Sequence, residues 1–184
     1  MNAPFTPISD ADWPKEILEM RGGFAGQLNV YRLMAHHPAL LRAWSDLREH
    51  IVKDTALGKV RAEIVILRLA HRLGCAYEWD QHVLRGLKVG LSKKQIASMR
   101  GPRVGMDEEA ALLAAGVDAL VDEAQLSAPL MAKLEALVGR HGVLDLMATT
   151  GMYLTLGFIL KSAPPPLEDG VAAELAELAP ELRF

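Results

Sequence analysis

The stretch KVRAEIVILRLAHRLGCAYEWDQHVLRGLKV, residues 59–89, decides how this chain folds. Its first half is apolar on nearly every side of a helix, which predicts a buried helix over about 59–73. Gly74 interrupts that pattern, and a second helical pattern continues over about 76–89. Because only Gly74 and Cys75 join the two helices, we expect them to pack as an antiparallel pair.

The rest of the chain is rich in alanine and leucine and has almost no β-branched alternation, which predicts an all-α fold. Helix starts are indicated at Pro38, at the Ser92 and Gln95 capping box, and at Asp107 and Ser127. These starts predict a helix over about 38–52, a helix that begins at about 92, a helix over about 107–123 and a helix over about 127–142. A short helical segment is also expected over 27–35, and a last apolar helix over 143–160.

The predicted organisation is a single helical bundle with two extensions. Residues 1–24, with several prolines, form an N-terminal arm, and residues 25–168 form the helical domain. Residues 169–184 are expected to be a C-terminal tail or a docking helix, mobile or docked on a neighbour.

Composition excludes several classes of function. With 51% hydrophobic residues, a net charge of −3 and no basic stripe, the 184-residue chain is expected to bind neither nucleic acid nor an anionic membrane. The apolar stretch 143–160 is broken by polar residues and glycines, which favours a core or interface helix over a membrane span. One cysteine and no recognisable signal peptide fit a reducing cytoplasm.

Glu63 is the first candidate catalytic residue. At 100° per residue it points the same way as Ile66, Leu67 and Ala70, so it shares the buried face of its helix. Burial moves the pKa of a carboxyl toward neutrality, which is what a general acid or base needs. The alternative is an acidic first-turn residue that faces water and favours the helix dipole.

Cys75 and His82 are the other two candidates. Cys75 precedes the second helix, whose dipole favours a thiolate, and His82 projects from the same face two turns later. Glu78, Trp79 and Gly86 lie on or near that stripe and are candidate substrate-pocket residues, Gly86 because its missing side chain leaves room for a ligand. The alternatives are a buried small hydrophobe for Cys75 and a structural histidine for His82.

Helix geometry predicts that Glu63 and His82 meet. Glu63 lies ~16 Å of helix before Gly74 and His82 ~12 Å after it, so both side chains reach similar heights in an antiparallel pair. We expect Glu63 to hold one imidazole nitrogen and to leave the other facing a pocket.

The segment from Glu63 through Cys75-Ala-Tyr-Glu-Trp-Asp-Gln-His82 resembles the signature of the carboxymuconolactone decarboxylase and alkyl hydroperoxidase D superfamily. In alkyl hydroperoxidase D proteins a Glu is followed by Cys-x-x-Cys-x-x-x-His. Here Glu78 stands at the second Cys position. The flanks 29–44 and 145–168 resemble longer members, so the resemblance covers most of 25–168 and implies an all-α bundle of this type.

The resemblance leaves three functions open. Glu63, Cys75 and His82 would form a cofactor-independent proton-transfer site, with no metal, for decarboxylation or lactone isomerisation of a small organic acid. His82 would move the proton, Glu63 would orient or relay it, and Cys75 would donate or assist. The second possibility is a peroxidase that uses Cys75 alone, because Glu78 cannot close a disulfide. The third is a non-catalytic oligomeric protein. The family and the apolar excess of 143–160 imply a homotrimer or homohexamer, with a small molecule as the other partner.

Overall fold

The computed structural model describes residues 5–184, and the first four residues of the expected arm lie outside the described part. The described residues form helices joined by short turns and contain no strand. The helices, in chain order, are α1 (Phe24–Gln27), α2 (Asn29–Met34), α3 (Pro38–Glu49), α4 (Lys59–Leu73), α5 (Ala76–Lys88), α6 (Lys93–Ser98), α7 (Glu108–Glu123), α8 (Ala128–Ser162) and α9 (Asp169–Leu178). The all-α expectation is confirmed.

Helix α4 is the centre of the bundle, with α5, α7 and α8 packed against it. Every residue from Ile64 to Ala70 is buried, as its all-round apolar pattern predicted. Gly74 ends the helix in the left-handed backbone conformation at φ 61°, which residues other than glycine rarely adopt. The amides of Gly74 and Cys75 donate to carbonyls of the last turn, and α5 begins directly after Cys75.

The predicted helix starts carry side-chain caps. Ser92 accepts from the amide of Gln95, whose own side chain accepts from the amide of Ser92, so α6 has the expected capping box. Asp107 accepts from the amide of Ala110 at the start of α7. Ser127 caps α8 in the same way, through the amide of Leu130. These caps fix where α6, α7 and α8 start.

The last long helix differs from the predicted pair of helices. A break was expected at Gly142, but α8 runs from Ala128 to Ser162 with its one non-helical residue at Gly139, at φ 71° and ψ 173°. Glycine adopts this geometry without steric cost, so the kink lies where the chain needs a positive φ. By length and composition α8 is apolar enough to cross a membrane, yet over half of its most apolar stretch is buried in the bundle.

Both ends of the described chain pack on the bundle. In the arm, Trp13 and Ile17 are buried, and a 3-10 turn spans Lys15–Met20. The C-terminal helix α9 lies against α5 of the same chain, and Arg100 donates to the carbonyl of Arg183 beyond it. The tail is therefore a docked helix within the chain.

The short segment expected over 27–35 is split into α1 and α2 by the extended residue Leu28.

One face of α8 carries apolar residues that no described residue covers. Leu144 and Phe158 are 63% and 60% exposed, and Gly151 and Thr155 lie between them on the same face. We therefore propose that this stripe, residues 144–158 of α8, joins copies of the chain.

Light scattering tests the proposed self-association. We expect a trimer or hexamer of the 20.1 kDa chain, and dissociation when Leu144→Glu and Phe158→Glu place charges on the stripe. Val104→Glu, at a residue 93% exposed and distant from α8 in sequence, is the control and should leave the mass unchanged. A monomeric mass for the unmodified protein would contradict the proposal.

Candidate active site

Glu63 and His82 meet across the interface between α4 and α5. The Nδ1 atom of His82 lies 2.6 Å from Oε2 of Glu63, and His82 is 1% exposed. The expected contact follows from the two-residue connection, which returns α5 alongside α4 with the two side chains at matching heights. Glu63 therefore is not a solvent-facing first-turn residue.

The second ring nitrogen of His82 is not open as expected, because it faces another carboxylate. Oε2 of Glu78, one helical turn earlier on α5, lies 3.4 Å from Nε2. The ring of Tyr153 from α8 meets the imidazole edge to face, with centroids 5.1 Å apart. Three helices thus fix the position and orientation of His82.

The surrounding charges favour the protonated imidazole. Burial alone disfavours the imidazolium ion, but the carboxylates of Glu63 and Glu78 outweigh it and raise the pKa of His82 above its usual value. Burial also raises the pKa of the Tyr153 hydroxyl, so this group stays a neutral phenol that can donate a hydrogen bond. The imidazole of His82 and the hydroxyl of Tyr153 therefore both favour their protonated forms.

Two cavities adjoin the pair, and they differ greatly in size. The cavity that His82 lines, with a volume of about 10 Å³, has room for roughly one water. The cavity that Glu63 lines has a volume of about 330 Å³, which suits a small molecule. Arg85 and Tyr153 line both. Glu63 is thus the member of the pair that a ligand in the larger cavity would meet.

Cys75 lies away from this centre. Its thiol is 3% exposed and lines a separate cavity of about 360 Å³ beside Lys161. Burial raises the pKa of the thiol to about 11 and outweighs the effect of the helix start, so the expected thiolate is not favoured. The described residues form no hydrogen bond between Cys75 and His82, so the structure does not bring the third candidate to the pair.

Of the candidate pocket residues, only Glu78 adjoins His82. Trp79 is buried on another side of α5, where its Nε1 donates to the carbonyl of Leu182 and its ring packs against Phe184. At Gly86 a Cβ atom would lie 3.2 to 3.4 Å from core side chains, so the missing side chain allows close packing rather than room for a ligand. The structure therefore brings neither Trp79 nor Gly86 to the pair, since a helical stripe does not reveal which neighbour covers it.

Sequence reasoning missed Arg48 and Arg85, and treated Tyr153 as a core or interface residue. Arg85 follows His82 by three residues, so its place on the same face was readable from helical spacing. Arg48 and Tyr153 come from α3 and α8, and no local pattern ties them to the pair. Their position depends on how distant helices pack.

The comparisons with known proteins agree with the fold. The model of the carboxymuconolactone decarboxylase family matches residues 38–119, which include Glu63, Cys75 and His82. No curated protein matches the chain.

Two solved structures resemble the whole chain. They are the debrominase Bmp8 without ligand and a cysteine-to-alanine variant of Bmp8 in complex with 2,3,4-tribromopyrrole. Each has a TM-score of 0.76 and 16% identity, over 96% of this chain and 98% of the other. The fold is shared along almost the full length, and the segment 38–119 is similar to the carboxymuconolactone decarboxylase family.

Proposed function

We propose that this protein is an enzyme that moves protons on a small unsaturated or cyclic organic acid, by decarboxylation or lactone isomerisation, without a metal or organic cofactor. The observation that carries the proposal is the buried Glu63–His82 pair at the wall of a cavity of about 330 Å³. A carboxyl group held by a buried imidazole is suited to general acid–base chemistry.

The proposed step begins with Glu63. For isomerisation, its carboxylate accepts a proton from the carbon beside the substrate carbonyl, and the C–H electrons form an enolate. Glu63 then returns the proton to another carbon of the enolate. For decarboxylation, the electrons of the C–CO₂ bond form the same enolate and CO₂ leaves. The enolate carbon then takes a proton from the protonated carboxyl group of Glu63, which regains a proton from water. Neither route changes the oxidation state of the protein.

His82 acts behind Glu63 in this scheme, which reverses the roles expected from the sequence. It lines only the cavity of about 10 Å³, so it meets the substrate through Glu63. Its Nδ1–H donates to the carboxylate and holds it toward the larger cavity. Tyr153 and Arg85 line that cavity too, and a phenol and a guanidinium are suited to stabilise the enolate oxygen.

Thiol chemistry at Cys75 is the second candidate function. It is favoured by the fold shared with Bmp8, a debrominase whose cysteine-to-alanine variant was solved with 2,3,4-tribromopyrrole. The raised pKa of Cys75 weighs against it, because a peroxidatic or other attacking sulfur must be a thiolate.

A purely structural role would leave Glu63, Glu78 and His82 as a costly buried cluster without use. We place the activity in the reducing cytoplasm, which suits a chain with one free thiol.

Substitution of Glu63 tests the proton-transfer function. The protein is incubated in D₂O with β-keto acids, β,γ-unsaturated acids and lactone acids, and NMR follows deuterium uptake and loss of CO₂. We expect turnover of at least one acid, and a loss of roughly 100- to 10,000-fold in Glu63→Gln, because the amide cannot accept the proton.

Glu109→Gln provides the matched control for this experiment. Glu109 pairs with Arg61, which lies on α4 as Glu63 does. Glu109 lines neither of the cavities that adjoin the pair, so replacing it should leave turnover unchanged. Turnover that survives in Glu63→Gln, or that falls equally in Glu109→Gln, would contradict the proposed role of Glu63. If none of the acids reacts, the proposed reaction class is wrong.

Alkylation of Cys75 tests the thiol alternative. With a pKa of about 11, roughly 0.03% of the thiol is ionised at pH 7.5, and the sulfur is also buried. We expect iodoacetamide to modify Cys75 far more slowly in the folded protein than in urea, where it is exposed. Cys75→Ser should fold and retain its proton-transfer activity. Fast labelling of the folded protein, or rapid alkyl hydroperoxide turnover that Cys75→Ser abolishes, would favour the thiol function instead.

A further inference from the structure

The larger cavity beside Glu63 is lined by cationic side chains. Its lining includes Arg48, Lys59, Arg85 and Lys88, and Glu63 is the only acidic residue among the described residues of its wall. Lys59 is exposed, and Lys88 is exposed and pairs with Glu174 of α9 at 2.9 Å. The two arginines are therefore the cations that distinguish the interior of the cavity.

Arg48 is buried without the partners that such a group normally has. It is 8% exposed, and its Nε atom has no hydrogen-bond partner among the described residues. Its guanidinium lies 4.0 Å from the ring centroid of Phe24, which packs its face but does not neutralise its charge. The guanidinium of Arg48 forms no ion pair with any described carboxylate.

Arg68 shows what a buried arginine looks like in this chain when it is structural. It is 7% exposed, almost the same as Arg48. Its guanidinium makes two hydrogen bonds to Asp118 and two more to the carbonyls of Met99 and Gly101. A buried cation is costly unless it is paired in this way, so the lack of any ion-pair partner for Arg48 among the described residues points to a missing anion.

Arg85 also lines this cavity, near the pair. It is partly buried on α5, three residues after His82, and it too has no ion-pair partner among the described residues. It lines both cavities, so it adjoins the place where Glu63 would meet a ligand. An anion held between Arg48 and Arg85 would therefore lie beside the reacting carboxylate.

We propose that Arg48 and Arg85 form an anion-binding subsite that holds a carboxylate of the substrate and so presents the adjoining carbon to Glu63. The inference rests on the proposed function, because it gives the substrate acid its anchor. Guanidinium groups suit this task, since their fixed N–H donors match the two oxygens of a carboxylate. They also offset the repulsion between the substrate carboxylate and Glu63.

Calorimetric titration of the whole protein tests the subsite with acetate, succinate and benzoate, and with succinamide as the neutral counterpart of succinate. We expect saturable binding of at least one of the carboxylates and none of succinamide. Arg48→Gln and Arg85→Gln should each weaken carboxylate binding roughly 10- to 100-fold, the usual effect of losing a charged hydrogen-bond donor. Arg140→Gln, at an exposed arginine that does not line the cavity, should bind like the unmodified protein.

A stability comparison keeps the test valid if a variant is damaged. Without ligand, Arg68→Gln should lower the free energy of unfolding more than Arg48→Gln does, because Arg68 loses an ion pair with Asp118 and Arg48 has no ion pair with a described residue to lose. Equal losses, carboxylate binding that persists unchanged in both Arg48→Gln and Arg85→Gln, equal affinity for succinate and succinamide, or no carboxylate binding would each overturn the subsite.

Glu63→Gln separates this inference from the proposed function. It should still bind the carboxylate, at least as tightly as the unmodified protein, because a like charge has been removed. If it binds and also keeps full turnover, the proton-transfer function fails while the subsite stands. If turnover depends on Glu63 but binding ignores Arg48 and Arg85, the function stands and the subsite fails.

Discussion

The hydrogen bond between Glu63 and His82 joins a partly buried carboxylate to a buried imidazole across the central helix pair, and the architecture of the site follows from it. Buried charges are stable only with partners at good geometry, so α4 and α5 must keep their register and α8 must keep Tyr153 against the ring. Gly74 makes this register possible, because its left-handed turn returns α5 at once. The same pairing leaves Glu63 exposed to the larger cavity and His82 behind it.

The buried ionisable groups of the bundle divide into those that the protein pairs or keeps neutral and those that it leaves unpaired. Arg68 donates four hydrogen bonds, and Cys75 stays a neutral thiol because burial raises its pKa to about 11. Arg48 and Arg85, by contrast, face the cavity without a described carboxylate partner. Proton transfer at Glu63 and anion binding by the two arginines are thus complementary parts of one account.

Sequence reasoning predicted the features that depend on short-range pattern and missed those that depend on distant packing. The apolar run in α4, the break at Gly74 and the cap at Ser92 gave the helix pair and its neighbours, and helical rise alone gave the contact between Glu63 and His82. Spacing could not show that Trp79 faces the C-terminal segment, since that segment is a hundred residues away. The burial that keeps Cys75 protonated was equally invisible, because it comes from packing around the helix start.

The most direct test of the central claim is an NMR titration of the His82 ring nitrogens. We expect a midpoint above the ordinary histidine value of about 6.5, because the neighbouring carboxylates favour the imidazolium ion despite its burial. The midpoint should fall in Glu63→Gln, while that of the exposed His50, which pairs with Asp145, stays unchanged. A midpoint below the ordinary value, or one that Glu63→Gln does not move, would contradict a coupled proton pair at this site.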